Sequence, residues 1–255
     1  MIVMLKAFHE DKIEVTCVED TLKYLINFYV RRNIVSWPKA SNIRAKTIEI
    51  SHLMRDTGHW DDLSEKVKTI LGSIAPSDKQ FSLALDSGVY DVSPATVRFM
   101  LIAFEREHDH FFNKQNPDNL DQVKGTGSGR KLPIWSIEHI MPETQNLKNG
   151  WPEMISPEAP DDVADVQQAY LHKIGNLTLT GYNAEMSDHS FTDKVNYRST
   201  EKADYSGLRT PLALNESILN AEKGETWDSK TSWTTEDIDR RNEFLKGDLI
   251  KLFAI

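Results

Sequence analysis

Four polar residues in the second half of the chain have the types and order of a metal-dependent hydrolytic site. Glu138 and His139 stand side by side in the apolar run IEHIMP, Asn176 lies in the run IGNLTLT, and Asn183 follows shortly afterwards. A neutral imidazole is available as a general base near pH 7. Carboxylate and carboxamide oxygens suit a hard cation such as magnesium. These residues therefore predict one site, with His139 as the base and with Glu138 and Asn183 as metal ligands.

Hydrolysis of a phosphodiester needs a base for the attacking water and a cation on the developing charge. A general base contributes about 10²–10⁴-fold, and a metal ion stabilises charge on the phosphate and on the leaving oxygen. The expected cofactor is a divalent metal, with Mg²⁺ favoured and Mn²⁺ as the alternative. Asn176 is expected to tie the loop between the two runs together or to hold the His139 ring in one orientation.

The elements that must position these residues are predicted to follow the order strand, excursion, strand, helix. Residues 135–141 form the first strand, which Pro142 stops. Residues 177–180 form the second strand and residues 184–198 a helix. Successive strand residues point to opposite faces. Glu138 and His139 can therefore share a site only if the strand ends or twists there.

The remainder of the chain is predicted to be mostly helical. Helices are expected over residues 18–35, 41–55 and 61–71, from Pro94, over 161–174, and from Thr234 or Thr235. The stripe expected to be buried on the first of these consists of Leu22, Leu25, Ile26, Tyr29 and Val30. Residues 150–160 are predicted to be loop-like, and the polar segment 113–129, rich in Asn, Gly and Ser, is predicted to be a loop or linker.

Composition is ordinary for a globular protein, but the charge is acidic. The chain has 255 residues and a formal net charge of −9, and residues 131–255 carry 13 Lys+Arg against 21 Asp+Glu. This balance argues against a general polyanion binder, so DNA contact requires a local basic surface, the metal or a neighbouring domain. The sequence has one cysteine and no recognisable signal peptide. It also has no run of the roughly 20 apolar residues that a membrane helix needs. These features favour a cytoplasmic protein without a membrane partner.

The combination of these motifs resembles the C-terminal nuclease domain of the GmrSD family of type IV, modification-dependent restriction endonucleases. The resemblance rests on IEHIMP, Trp151, IGNLTL, Asn183 and the pattern from Phe191 to Ser199, with Trp233, Ile238 and Arg241 further on. It implies an α+β, mostly helical fold with a ββα-metal (His-Asn-His) nuclease core and flanking helices. The implied organisation is a helical domain over 1–115, a linker over 116–130 and the nuclease domain over 131–255.

The same resemblance implies an endonuclease that acts on foreign or modified double-stranded DNA, with a ParB-like NTPase domain upstream. His139 would be the base and Asn183 a ligand, and Asn176, the middle Asn of the motif, would be the second catalytic residue. The residues assigned to DNA contact, some with bracing of the site as the alternative, are Lys173, Lys194, Tyr197, Arg198 and Arg241. His172 precedes the second strand, where it can approach DNA. The alternatives are a DNA-binding module that does not cut, and an interaction module controlled by the NTPase domain.

Overall fold

Helices dominate the fold, as the apolar spacing predicts. The computed structural model describes residues 2–56, 60, 62–108, 111–125, 129, 131–181, 186–198 and 207–255. The α-helices are α1 (Ile2–His9), α2 (Val15–Val35), α3 (Ala40–Asp56), α4 (Leu63–Gly72), α5 (Asp78–Leu85), α6 (Val89–Val92), α7 (Pro94–His108), α8 (Trp151–Ile155), α9 (Val163–Tyr170), α10 (Phe191–Asn196), α11 (Ala213–Glu216) and α12 (Thr235–Leu252). In the described residues, no helix combines the length and the apolar character needed to span a membrane.

In the part of the chain that the structure describes, four short strands form two separate antiparallel pairs. Strand β1 (Val123–Gly125) pairs with β2 (Lys131–Pro133), and β3 (Ser136–His139) pairs with β4 (Leu177–Thr180). The β3–β4 register places Ser136 opposite Thr180 and His139 opposite Leu177. The two strands predicted around the candidate site are therefore confirmed as a pair, and α10 follows them along the chain.

Several predicted elements are confirmed and others are corrected. The helices expected over 18–35, 41–55, 61–71 and from Pro94 correspond to α2, α3, α4 and α7, and the C-terminal helix begins at Thr235. The loop prediction for residues 150–160 is wrong, because Trp151 begins α8 and is fully buried. The helix expected over 161–174 is α9 alone, followed by a 3₁₀ turn at Ile174–Asn176. Of the helix expected over 184–198, residues 184 and 185 lie outside the described residues, and α10 covers only Phe191–Asn196.

The chain divides into two compact units at a different place from the predicted linker. One unit is Met1–Ala84 with Ile250–Ile255, and the other is Leu85–Leu249. Helix α7 belongs to the second unit because it packs against β4 and α11. The buried Glu105 carboxylate of α7 accepts hydrogen bonds from the backbone N–H groups of Ala213 and Leu214, at 3.2 and 2.9 Å. The segment predicted as a linker contains β1, which is paired with β2.

Each unit has its own apolar core. In the first unit α1–α4 bury a cluster that includes Met4, Tyr24, Phe28, Val67 and Leu71. In the second, residues that follow β3 pack with residues of α8, α10 and α12. This cluster consists of Ile140, Met141, Leu147, Trp151, Ile155, Met186, Phe191, Val195, Leu208, Ile218, Trp233 and Ile238. The core of the second unit therefore begins directly after the two side chains of the candidate site.

Candidate nuclease site

Glu138 and His139 occupy the end of β3 and line one cavity. The cavity has a volume of about 220 Å³, and its walls are Glu138, His139, Pro142, Glu143, Thr144, Ser187 and Asp188. The strand ends at His139, and the backbone N–H of Ile140 donates to the carbonyl of Asn176 at 2.9 Å. Because the strand ends at His139, its side chains need not alternate between the two faces of the sheet there. The side chains of Glu138 and His139 therefore both line the cavity.

Asn176 connects the segment that follows β3 with the residues that precede β4. Its side chain is fully buried, and its Oδ1 accepts from the backbone N–H of Met141 (2.8 Å) and from the indole N–H of Trp233 (3.1 Å). Its Nδ2 donates to the carbonyls of Met141 (3.2 Å) and Leu171 (2.9 Å). The oxygen and the nitrogen of the Asn176 carboxamide are therefore hydrogen-bonded to other groups of the protein. Asn176 is not part of the cavity wall. The structure places it as a brace of the loop, one of the two roles expected for it.

Lys194 lies inside the site rather than on the surface of the protein. It is 0% exposed, and its ammonium donates to Glu138 Oε1 at 2.6 Å and to the carbonyl of His139 at 2.8 Å. Helix α10 supplies this side chain; its N-terminus is capped by the Ser190 hydroxyl, which accepts from the Asp193 N–H. The buried ammonium of Lys194 is therefore paired with the buried carboxylate of Glu138 inside the protein. The contact therefore corresponds to bracing of the site, the alternative to phosphate contact.

Arg241 is also buried, on α12. Its guanidinium donates to the carbonyls of Gly175 and Leu177, both at 2.7 Å, to the carbonyl of Leu214 at 3.0 Å, and to the Ser217 hydroxyl at 2.8 Å. Burial lowers the pKa of Arg241 to about 9, and the neighbouring Arg240 adds to this shift. Arg241 thus ties α12 to the turn before β4, which again corresponds to bracing of the site.

The other predicted residues are distributed around the site. The Lys173 ammonium pairs with Asp239 at 2.8 Å and lies 3.8 Å from the centre of the Tyr170 ring. Tyr197 is half-buried against the core of the second unit, and Arg198 is exposed. Asn183, predicted as a metal ligand, lies outside the described residues. Among the residues proposed for DNA contact, Arg198 is the one whose side chain is exposed.

Sequence reasoning missed two carboxylates in the cavity wall, Glu143 and Asp188. Glu143 Oε2 lies 3.5 Å from His139 Nδ1, and Asp188 lines the same cavity. Glu143 is four residues after His139, just beyond Pro142, and this short spacing was a signal that could have identified it. Asp188 carried no comparable signal, because its position depends on how the chain returns from β4.

A second imidazole lies against His139. His139 Nε2 and His172 Nδ1 are 3.0 Å apart, and His172 Nε2 is 3.4 Å from Asp91 Oδ1. The Tyr90 ring meets His139 edge-on, with centroids 4.7 Å apart, and stacks on His172 at 5.3 Å. Tyr90 and Asp91 belong to α6, which the sequence pattern did not connect with the site.

The electrostatics of the site follow from burial. Burial lowers the pKa of His139 to about 3, helped by the nearby His172 and Lys194. Burial raises the pKa of Glu138 to about 7, and the charge of Lys194 offsets only part of that effect. The pKa of Lys194 is lowered, again by burial first. His139 is consequently neutral at pH 7, the form that can accept a proton.

The donor set of the site fits a divalent metal. The nitrogen or oxygen donors of His139, Glu143 and His172 all lie within 4.8 Å of one another. Glu138 and Asp188 add carboxylate oxygens to the adjoining cavity wall. Carboxylate oxygens are the usual protein ligands of magnesium, and imidazole with carboxylate also suits transition metals such as manganese. The residues present can therefore hold such an ion.

Comparison with known proteins identifies the family. The model of the family described as GmrSD restriction endonucleases, C-terminal domain, matches residues 75–247. The match covers more than half of the chain, and the chain belongs to this family. It includes α6 and α7 as well as the β3–β4 pair. No curated protein and no solved structure matches the chain. Membership supports nuclease activity of a restriction endonuclease, with DNA as the substrate.

Proposed function

We propose that the chain is a divalent-metal-dependent, His-Asn-His-type endonuclease that hydrolyses phosphodiester bonds of foreign or modified double-stranded DNA. One observation carries this proposal beyond family membership. A neutral, buried imidazole and three carboxylates, those of Glu138, Glu143 and Asp188, share one cavity of about 220 Å³ at the end of β3. A base and a set of hard oxygen donors are the two requirements for hydrolysis of a phosphodiester.

In this proposal His139 is the general base. The ring is neutral at pH 7, so it has a lone pair that can take a proton from the water that attacks phosphorus. Its Nδ1 is beside Glu143, at 3.5 Å from the carboxylate. The ring is kept in place by β3 and by the adjoining His172. Proton acceptance by a positioned histidine contributes about 10²–10⁴-fold to the rate.

We assign the metal to the carboxylate side of the cavity. Glu138 and Asn183 are the ligands predicted from the sequence, and the structure adds Glu143 and Asp188 as candidates. When bound, Mg²⁺ or Mn²⁺ supplies positive charge that stabilises the phosphate and the leaving oxygen. Lys194 holds one oxygen of Glu138, which orients the carboxylate and leaves its other oxygen for coordination.

The remaining assignments concern the substrate and its control. Arg198 is exposed and is proposed to contact the phosphate backbone, together with Lys173 and Tyr197. The acidic balance of residues 131–255, with 13 Lys+Arg against 21 Asp+Glu, favours a second candidate. In it, the chain is a module that an upstream ParB-like NTPase domain must bring to DNA before cleavage occurs.

The test of the proposal is a plasmid assay with a matched set of variants. With Mg²⁺ or Mn²⁺, the chain should convert supercoiled plasmid to nicked or linear forms, and EDTA should stop the reaction. His139→Ala should lower the rate at least about 100-fold, because the general base is lost. Lys148→Met, on an exposed side chain that is not part of the cavity wall, is the control.

Circular dichroism must show that His139→Ala remains folded. Cleavage by His139→Ala at the rate of the wild type would refute the assignment of the base. If the chain alone neither binds DNA on filters nor cuts it with any divalent metal, the second candidate is favoured, and adding the upstream domain then tests the dependence on it.

A further inference from the structure

The two units of the chain carry net charges of opposite sign, and the unit with the candidate nuclease site is the acidic one. Residues Leu85–Leu249 include 17 Lys+Arg against 28 Asp+Glu, whereas residues 1–84 and 250–255 together include 13 against 11. In the second unit, most of the cations predicted to contact DNA are paired or buried, and Arg198 is the exposed one among them. Because cations that neutralise phosphates supply much of the affinity for DNA, a surface of this kind is expected in the first unit.

Helix α3 of the first unit has an exposed face that carries positive charge. The inner side of the helix, with Ile43, Ile50 and Met54, packs in the core of that unit. On the opposite side, exposed residues recur at intervals of three or four along the helix, so they share one face. These residues, which we call the basic face, are Ser41, Arg44, Ala45, Ile48, His52 and Arg55. The basic face includes two arginines and no acidic residue.

The two arginines of the basic face are not neutralised by the protein. Among the residues that the structure describes, neither Arg44 nor Arg55 forms an ion pair or a side-chain hydrogen bond. By contrast, Lys46, on another side of the same helix, pairs with Glu49 at 2.9 Å. A guanidinium presents its N–H groups as a fork that matches the oxygens of a phosphate. Both arginines can therefore bind an anion without first breaking a contact within the chain.

The length and polarity of α3 also suit a duplex. The first turn contains no acidic residue, although the helix dipole would favour one there, so positive charge extends to the N-terminal end. Arg44 and Arg55 are eleven positions apart, roughly 16 Å at the helical rise. The major groove of DNA is about 12 Å wide and admits an α-helix. The two guanidinium groups can therefore reach phosphates on both sides of a groove, with Ile48 between them.

We propose that the basic face of α3 contacts the phosphate backbone of double-stranded DNA and supplies affinity that the acidic second unit lacks. The choice of DNA as the polyanion rests on the proposed function. The contact itself is electrostatic and needs neither the metal nor a particular base sequence, so binding can be measured separately from cleavage. If an acidic protein surface were the partner instead, removal of the two arginines would leave DNA binding unchanged.

The test is fluorescence anisotropy of a labelled DNA duplex titrated with the full chain, in EDTA, at salt concentrations from about 50 to about 200 mM. The wild type should bind, with an affinity that falls as salt rises. The double variant Arg44→Gln/Arg55→Gln should bind at least about tenfold more weakly at the lowest salt. Its slope of log affinity against log salt should be shallower by about 1.8, because each lost phosphate contact removes about 0.9. Arg44→Lys/Arg55→Lys keeps both charges and should recover most of the affinity.

The matched control is Lys66→Gln/Lys68→Gln, which removes the same number of charges from α4 of the same unit. These lysines pair with Asp62 and Glu65 at 2.7 and 2.8 Å, so the control should keep the salt slope of the wild type. All four substituted side chains lie on the surface or at its edge, and circular dichroism checks that each variant is folded.

Three results would overturn the inference: no binding by the wild type at low salt, wild-type affinity and slope in Arg44→Gln/Arg55→Gln, or an equal loss in the lysine control. The proposed function fails on a different result. If the wild type binds DNA through the basic face but does not cut with any divalent metal, the inference stands and the assignment as a nuclease does not. If the wild type cuts but binding ignores the two arginines, the reverse holds.

Discussion

At the scale of single residues, the site consists of ionisable side chains that are almost fully removed from water. Glu138 is 4% exposed, His139 is 5% exposed and Lys194 is 0% exposed. Burial disfavours every charged form, so it keeps His139 neutral and raises the pKa of Glu138. Lys194 and Glu138 then stabilise each other only as a pair, since neither charge has water as an alternative partner.

This pairing leads to a prediction about stability. Lys194→Met should lower the free energy of unfolding at pH 7 by about 1–3 kcal/mol, because the buried Glu138 carboxyl group loses its hydrogen-bond donor and is left protonated. It should also raise the pKa of Glu138 further. The double variant Glu138→Gln/Lys194→Met removes both charges and should be more stable than Lys194→Met alone. Urea unfolding at pH 7 measures the changes in stability, and unfolding at several pH values measures the change in the pKa of Glu138.

Lys148→Met, on an exposed lysine, is the matched control and should change the unfolding free energy by less than about 0.5 kcal/mol. If the double variant is no more stable than Lys194→Met, the ion pair does not account for the loss, and the packing of the lysine stem does.

At the scale of elements, the site depends on how α12 packs against the turn before β4. A Cβ added at Gly175 would lie 2.2 Å from the backbone oxygen of Ile238 and 2.9 Å from Asn242 on α12. The side chain of Asn242 accepts from the Gly175 N–H at 3.2 Å, and Arg241 donates to the Gly175 carbonyl at 2.7 Å. The absence of a side chain at Gly175 allows α12 to approach the turn closely. This contact fixes the positions of Asn176 and β4, which follow the turn.

Two glycine substitutions test this contact. Gly175→Ala should lower the free energy of unfolding by about 3 kcal/mol, because the clash is with backbone and cannot be relieved by a rotamer change. Gly247→Ala, on α12 itself, has open space around the new Cβ. It should stabilise the protein by roughly 0.5–1 kcal/mol through helix propensity. If the packing is as described, the urea midpoint of Gly175→Ala should be lower than that of the wild type, and the midpoint of Gly247→Ala should be higher.

Equal effects of the two substitutions would contradict the close approach of α12 to the turn. Plasmid cleavage provides a second measurement. Gly175→Ala should also reduce activity, since Asn176 follows directly and holds both Met141 and the loop. Gly247→Ala should not.

At the scale of the whole molecule, the free energy of unfolding should depend on pH through His139. Its pKa is about 3 in the folded protein and about 6.5 when unfolded. A lowered pKa means that the folded state binds fewer protons, so this contribution is fully present above pH 6.5 and is lost as the pH falls towards 3. The slope is up to about 1.4 kcal/mol per pH unit.

The measurement compares the wild type with His139→Asn, both with EDTA so that no divalent ion interferes. The unfolding free energy of the wild type should fall by about 2 kcal/mol more than that of His139→Asn between pH 6.5 and 4.5. Parallel pH profiles of the two proteins would show that His139 is not held neutral by burial.

The sequence predicted the elements better than it predicted their contacts. Helix α2 was expected, but its buried face was predicted only in part: Val30 is buried, and Leu22 and Leu25 pack against the core. Ile26 and Tyr29 of the expected stripe are 46% and 45% exposed, whereas Tyr24 and Phe28 are buried. Periodicity indicates that a helix has an apolar face, but the neighbouring helices α1, α3 and α4 select which side chains are covered. The division of the chain at 84/85 likewise depends on contacts, because α7 is assigned to the second unit by its packing on β4 and α11.

By itself, the sequence determined the family, the strand pair and the functional importance expected of Glu138 and His139, since these depend on residue types at short spacing. The tertiary structure alone decided that Lys194 and Arg241 are buried braces, that Glu143 and Asp188 share the cavity, and that His172 and Asp91 lie behind the imidazole. The physical reason is that burial and hydrogen-bond partners arise from residues far apart in the chain. Helix α6 is brought to His139 only when the second unit folds around β3 and β4.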